Sequence, residues 1–436
     1  SGTKMVAIGN QSLFSNATTA ANGTVAVGYE ALNALTSGES NTAIGYESLK
    51  SLTGGHSNVA IGYSAMDNAQ HSEQHNISIG KDSMGSVSEG GSGQADFNIA
   101  IGTNAIAGGT LSGSDALFGN IAIGYNALDA TSTNPSTGQV AIGHQALSAC
   151  TSGTLNLAIG YQALSSLNTG HSNHAIGYTA MDSVTDGIAN VAFGRAALST
   201  NTQGDCNTAI GHQALETCNP ANNDGYNTAV GQNSLQALQT GVNNVALGAG
   251  SGDTLTTGSG NTLIGQQADP SAVGVNDEIV LKAGLHAVAG AGTESIRIGV
   301  DSDHITNVFG TNATWTHSSD KRIKKDIKDC ELGLNFINEL RPVTFLKKAP
   351  SDYPKEFDQY NPNKTERSNP SKINYGFIAQ EVKEAMDKSG HSDFPVWKEN
   401  KDGMQELGEA ELITPLVKAI QELSAKVEEL EKKCNC

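Results

Sequence analysis

Between His317 and Ile327 a pair of serines runs into a cluster of cations: His317-Ser318-Ser319-Asp320-Lys321-Arg322-Ile323-Lys324-Lys325-Asp326-Ile327. A serine hydroxyl is a weak nucleophile until a base takes its proton, and a lysine is such a base only while it is neutral. An ordinary ammonium gives up its proton at about pH 10.4, so burial or neighbouring cations must lower that value. Both ingredients surround Lys324, with Lys321, Arg322 and Lys325 beside it and Ile323 and Ile327 alternating with the charges. Taken alone, such a run reads first as a solvated basic linker. Few other residues compete for chemistry. No paired carboxylates recur at a site-like spacing outside the repetitive first part of the chain, which leaves a glycan-cleaving site without support. Cys150, Cys206, Cys218, Cys330, Cys434 and Cys436 lack zinc spacing, because Cys434-Asn435-Cys436 is too tight to give two ligands of a paired-knuckle site. They are expected to be free thiols of a chain assembled in a reducing cytoplasm. No metal and no cofactor is expected. His286, His304 and His317 have no partner carboxylate at motif spacing and read as solvated or packing residues.

The linker reading changes once the downstream sequence is included. After the Ser319-Asp320 pair and its cations come Gly333-Leu334-Asn335-Phe336-Ile337, then Leu340-Arg341-Pro342-Val343-Thr344-Phe345, then Tyr375-Gly376-Phe377-Ile378-Ala379-Gln380-Glu381-Val382. These ordered blocks resemble the intramolecular chaperone of endosialidase family, the self-cleaving serine peptidase domain at the C-terminal end of phage tail spikes and fibres. The resemblance covers roughly the last quarter of the chain. It implies a small α+β chaperone and a nucleophile five residues before its lysine, a spacing matched by Ser319 and Lys324. Cleavage would fall at Ser319–Asp320, whereas attack on the preceding carbonyl would cut Ser318–Ser319. Some members also need a histidine inside the domain, and His391 is the sole histidine after the junction. With the nucleophile in the substrate chain, the reaction is a single turnover in cis, effective molarity replacing substrate binding.

What precedes the junction is repetitive. Fifteen copies of a unit reading small, bulky, Gly, any, any, small, bulky are centred on Gly9, Gly28, Gly45 and so on to Gly265, with a basic period of 17 residues and occasional insertions. Stacked coils set equivalent side chains above one another at about 4.8 Å, so each position becomes a ladder. The residue before Gly is bulky and the one before that nearly always small, an alternation that reads as the inside of a thin coil with Ile44, Ile61, Ile123 and Ile159 pointing inward. Four residues after Gly, 13 of 15 copies carry Leu, Met or Ile, a second apolar contact. Four residues before it, 12 of 15 carry Asn, where an amide ladder can satisfy the backbone of a turn. Tyr29, Tyr46, Tyr63, Tyr125, Tyr161 and Tyr178 follow the Gly, either as a seam between subunits or as a surface for sugars. The inserts Gly85 to Phe97 and Ala107 to Gly119 read as receptor loops or as slack. The unit resembles the β-roll heads of trimeric autotransporter adhesins. With aromatics at 5%, each coil is expected to find its core by packing three chains around one axis. One coil per repeat gives an array of roughly 65–70 Å.

The expected architecture is therefore mostly β: homotrimeric parallel β-roll or solenoid repeats over residues 1–275, an intertwined trimeric β-stem over 276–319 where the period is lost after Pro270, and a chaperone and autopeptidase domain over 320–436. That domain ends in a coiled-coil helix, 409–433, whose Leu416, Ile420, Leu423, Val427, Leu430 and Cys434 follow an a/d pattern. Pro350 to Lys372 is expected to protrude as a loop. The formal net charge of −18 resides almost wholly before the junction, and such an acidic surface repels nucleic acid and anionic membranes. No apolar run is long enough for a membrane span, and Ser1-Gly2-Thr3-Lys4-Met5 reads as an expression scar rather than a signal peptide. The expected protein is the distal part of a phage tail fibre or spike, located in the virion and assembled in the host cytoplasm. Its partners are two further copies of itself, the N-terminal remainder of the fibre with other tail proteins, and a host receptor or glycan. The alternative is a bacterial trimeric adhesin head without autocleavage, although such adhesins end in a membrane-embedded β-barrel anchor that these blocks do not resemble.

Overall fold

Each repeat lays down one three-residue strand, and consecutive strands pair parallel and in register: Thr42–Ile44 on Val59–Ile61, Leu157–Ile159 on His174–Ile176. The structure, a computed structural model, describes residues 4–434 apart from 16–20, 90–93, 112–115, 132–135, 221–223, 285–287, 301–302, 310–315, 318–319, 358 and 368–370. The chain divides into two compact units, Ser1–Ser318 and Ser319–Cys436. The first is a parallel β-solenoid, and the second mixes short helices with two-stranded antiparallel sheets.

From Ala26 onward the middle residue of the repeat strand points inward, and it is Ala or Ser in every repeat but the last, where it is Leu263. Ala43, Ala60, Ala122 and Ala158 are fully buried, while Ile44 and Ile123 are 40% and 36% exposed and Ile61 and Ile159 half-buried. The expectation that the isoleucines face inward is thus reversed. The reason is space: the opposite wall already fills the thin coil with Leu49, Met66, Leu128 and Leu164 after the turn, and with Leu52 and Leu167 three residues further on. Only a methyl fits between. One chain consequently owns a continuous core and does not depend on neighbours for it, while the first and third residues of every strand form an apolar face outside.

Two kinds of backbone make the corner after the strand. Gly45 has φ +140, and a Cβ on it would lie 2.2 Å from the carbonyl oxygen of Gly62 one coil on. No side chain fits there, so the stack itself demands glycine. The next residues turn through the left-handed region without glycine, Glu47 at φ 54 and Leu49 at φ 51. Such conformations cost about 1–2 kcal/mol each, and the buried leucine side chain offsets that by about 1.5–3 kcal/mol. Cys150 and Cys218 take the place of Leu52 in their own coils, and burial pushes their thiols up to about 11 and 12. All cysteines among the described residues are free.

The amide ladder is present. Asn173 Nδ2 donates to Asn156 Oδ1 at 3.3 Å and to Gly187 O at 2.6 Å. Its Oδ1 accepts from both Asn190 N and Asn190 Nδ2 at 3.1 Å. Gln139 fills the same role in its coil. The ladder runs from Asn41 to Asn261 and ends on the buried Glu278, whose N–H donates to Asn261 Oδ1 at 3.0 Å. The Glu278 carboxylate in turn accepts from Ser271 N at 2.8 Å and Gly292 N at 2.6 Å.

That last contact shows that the period is not lost after Pro270. Glu278–Ala283 and Ser295–Val300 stack on Thr262–Ile264 in the same sheet, with Thr262, Ile279 and Ile296 each 17 residues apart. Glu278 and Ser295 stand where the repeats carry Asn, and Lys282 where they carry Gly, which disguises the unit, while Gly299 keeps its place. Asp303–Val308 and Thr316–His317 then reverse direction and pair antiparallel. The strands of the expected intertwined stem therefore find partners within one chain. His304 is half-buried beside them, and His286 lies outside the described residues.

The described parts of the inserts are paired. Gln94–Asp96, Ala116–Phe118 and Ser136–Thr137 form a second parallel sheet, and Ser88–Glu89 pairs with Thr110–Leu111. Buried carboxylates anchor them: Glu73 accepts from Gln70 N and Glu89 N, each at 3.0 Å, and Asp96 from Gln74 N at 2.9 Å.

One coil near the end carries an unmet cost. Asp269 occupies the leucine position, and its Oδ1 is buried without a hydrogen-bond partner among the described residues. Burial first, and then the neighbouring Asp253 carboxylate, raise it to about 6, with Lys282 opposing. A carboxyl raised in the fold above its unfolded value takes its proton earlier when folded. The resulting stability is present at low pH and lost as pH rises through about 6. Melting of the solenoid should therefore shift upward between pH 7.5 and 5 by more in the wild type than in Asp269→Asn. Equal shifts would show that this carboxyl is not responsible.

Candidate active site at the junction

Asp320 opens the second unit as the cap of a single 3-10 turn, Lys321–Ile323, its Oδ1 accepting from Arg322 N at 2.8 Å. The Arg322 guanidinium returns to the same carboxylate, Nε to Oδ1 at 3.0 Å and an amino nitrogen to Oδ2 at 2.6 Å, and holds Asp320 below the usual carboxylate range. Lys324 follows in extended backbone, its N–H donating to Lys321 O at 3.1 Å. Residues 320–329 are all exposed. Ser319, with Ser318, lies outside the described residues, so of the two candidate scissile bonds only Ser319–Asp320 has a described side, at Asp320. The expected desolvation of Lys324 is not supplied by its own surroundings in the single chain. Keeping water from an amine is one way to make it a base, and Ile323 and Ile327, both exposed, are available to whatever covers this stretch.

The blocks downstream are brought together by specific contacts. Helix α1 (Leu334–Glu339) begins where Glu422 Oε2, from a later helix, accepts the Leu334 N–H at 2.8 Å. A Cβ at Gly333 would sit 2.5 Å from that oxygen, so a larger residue there would displace the Glu422 side chain from its cap. Strands Val343–Phe345 and Asn374–Gly376 form an antiparallel pair around the proline-rich connection. Helix α2 (Ala379–Ser389) follows, stopped by Gly390 in the left-handed region at φ 78. Arg341 Nε donates to Glu381 Oε2 at 3.0 Å, tying the Leu-Arg-Pro block to the Ala-Gln-Glu-Val block. A small core of Leu332, Phe336, Val382, Ala385, Met386, Val396 and Leu412 lies between the elements.

His391 N–H donates to Met386 O at 3.1 Å, and its Nε2 lies 3.6 Å from Glu331 Oε2. The structure thus gives His391 an acidic partner and a place at the end of α2. Sequence reasoning missed the Glu422 and Glu331 contacts, which join residues far apart in the chain and leave no spacing signal. Helix α3 (Ile413–Cys434) exposes Leu416, Ile420, Leu423, Val427 and Leu430 along the a/d seam. No described helix is long and apolar enough to cross a membrane, and no described group of His, Cys, Asp and Glu residues could hold a metal ion within one chain.

A parallel solenoid followed by a small α+β unit whose last helix packs on α1 through Glu422 and leaves its apolar seam exposed defines a fibre-like repeat protein with a C-terminal assembly unit. The comparison with protein families agrees: a model described as chaperone of endosialidase matches residues 319–391. That match supports an intramolecular chaperone related to self-cleaving peptidases. No curated protein matches the chain.

Proposed function

We propose that the chain is the distal part of a phage tail fibre or spike serving host attachment, and that its second unit trimerises the first and then detaches itself. The carrying observation is a coincidence of borders: the family match begins at residue 319, and the second compact unit begins at Ser319. A cut at Ser319–Asp320 therefore separates two bodies without dividing the core of either. Ser319 is the nucleophile and Lys324 its base, and the exposed junction acquires its dry surroundings on assembly.

Two surfaces support the homotrimer. The first and third strand residues form an apolar face along the whole solenoid, and parallel sheets are ordinarily covered on both sides. The α3 seam is the second, with too few heptads to hold three copies unaided. Interchain packing of this kind starts without local contacts and leaves sticky surfaces exposed while it waits. In this reading the particle is the virion, assembly takes place in the host cytoplasm, and the partners are the rest of the fibre and a cell-surface receptor or glycan.

The tyrosine column constrains the attachment reading. Tyr125, His144, Tyr161 and Tyr178 stack with centroids 5.2, 5.0 and 5.1 Å apart, and Tyr29, Tyr46 and Tyr63 at 5.1 and 5.0 Å. Inner rings cover one another, so their edges rather than their faces are presented. Sugars stack on faces, which favours the column as a rib of the coil over a glycan platform.

Freshly purified protein should show, by intact mass, a repeat fragment and a small fragment beginning at Asp320, without added protease or metal. Ser319→Ala and Lys324→Ala should each leave a full-length chain that still trimerises. Lys324→Arg should fail likewise, because a guanidinium keeps its proton. Cutting of the Ser319→Ala chain at the same bond and rate would refute the assignment.

A further inference from the structure

The solenoid presents two outward residues on each three-residue strand, and over fifteen strands from Val6–Ile8 to Thr262–Ile264 only one of these positions titrates: His174. The others are Val, Ile, Leu and Phe, with threonine at positions 42, 208, 228 and 262. His174 pairs in register with Leu157 on one side and Val191 on the other, and shares its strand with Ile176. Its side chain is exposed in the single chain. The next coil also departs from pattern, since Phe193 replaces an aliphatic residue there, pairs with Ile176 and is 53% exposed. The histidine and the phenylalanine of this face thus sit on consecutive coils.

In the homotrimer proposed for this chain, a reading on which the site rests, three copies of this face meet about one axis, and identical residues come to the same level. Three imidazoles then enter a region walled by Leu157, Val191 and Ile176. Three protonated rings in such surroundings would repel and pay desolvation besides. Three neutral rings each keep a nitrogen lone pair that needs a partner. One ion can meet all three. We propose that the assembled repeats hold a single divalent transition-metal ion on the three-fold axis, bound by His174 of each copy. Nitrogen donors select zinc, cobalt, nickel or copper over calcium and magnesium, and three imidazoles at about 2.0–2.1 Å leave a fourth tetrahedral position for water. Phe193 supplies an apolar lid one coil away. The ion fixes the register of the three chains, because a slip of one coil would set histidine against leucine or valine.

The test uses untagged full-length protein, stripped with EDTA, exchanged into metal-free buffer at pH 7.5 and titrated separately with zinc and with cobalt(II). Sedimentation gives the oligomer mass in the same samples. The expected result is a trimer that binds one ion per three chains, with the visible absorption of tetrahedral cobalt and a higher melting temperature with zinc. His174→Val restores the commonest residue of the row, so it should leave the mass unchanged while abolishing the cobalt absorption and the zinc-dependent shift. A trimer that binds no ion at one per three chains overturns the metal site and leaves the homotrimer standing. Equal binding by wild type and His174→Val places the ion elsewhere and overturns it too. A monomer overturns the homotrimer, and this site with it.

Discussion

Expressed without residues 320–436, the repeat region should be recovered as insoluble or monomeric protein, whereas the same region released after the full chain has folded should remain a soluble trimer. The difference in recovered trimer should be roughly tenfold or more, because tethered chaperone units raise the local concentration of the chains they carry. The structure sharpens the reason. Each solenoid owns its core, so a lone chain can stack its coils, yet it is left with an apolar face along its length. Folding alone does not cover that face; only pairing in the right register does. In the proposed assembly, the trimer would be protected by a slow unfolding step rather than by an equilibrium with the departed unit. Yield of soluble trimer, read by sedimentation, decides. Equal yields from the shortened and full-length genes would show that the last unit is not a chaperone.

Breaking the amide ladder should have the largest effect on the solenoid itself. Asn173→Leu removes the acceptor of Asn190 N and Nδ2 and the donor to Gly187 O, all inside the coil. Each buried polar group left without a partner costs about 1–3 kcal/mol, so the substitution should cost on the order of 3–5 kcal/mol. Asn173→Gln should be far milder, since Gln139 already holds the same rung. Thermal melting of the two variants tests this directly. A leucine variant that melts with the wild type would mean that the ladder is incidental to stability.

The solenoid is legible because its ladders are sequence patterns: the Gly-centred unit marks the strand, the turn and the Asn rung. Which strand face turns inward is not. A strand alternates with period two, and shifting the assignment by one residue exchanges core for surface. Bulk suggests that Ile44 is inside, but bulk alone ignores the opposite wall, where Leu49 and Leu52 already fill the coil and leave room for Ala43. The two coils after Pro270 are hidden because Glu278 and Ser295 keep the rung's place without being asparagine, and Lys282 keeps the glycine's place. Their register survives where their residue types do not. In the second unit the helices and the Val343–Phe345 strand follow the recognised blocks, and the a/d seam of α3 is exposed as its spacing indicates. The cluster at Lys324 offers cations and alternating isoleucines, and 320–329 is exposed, since composition shows which groups are adjacent and not what covers them.

The direction of the ladders also decides how the protein carries load. Backbone hydrogen bonds between coils run along the solenoid axis, so a pull along that axis opens them in tension, one three-residue strand at a time, instead of shearing a long strand as a whole. The bonds between one coil and the next, made by its turns as well as its strand, then form the weakest link, and a single solenoid under tension would peel from its end like a spring losing turns. Resistance to pulling must come from the side, where the outward faces of three chains would bear on one another and every coil would be braced by two neighbours at the same height. A fibre built this way would be stiff against bending yet would draw its tensile strength from the seam between chains.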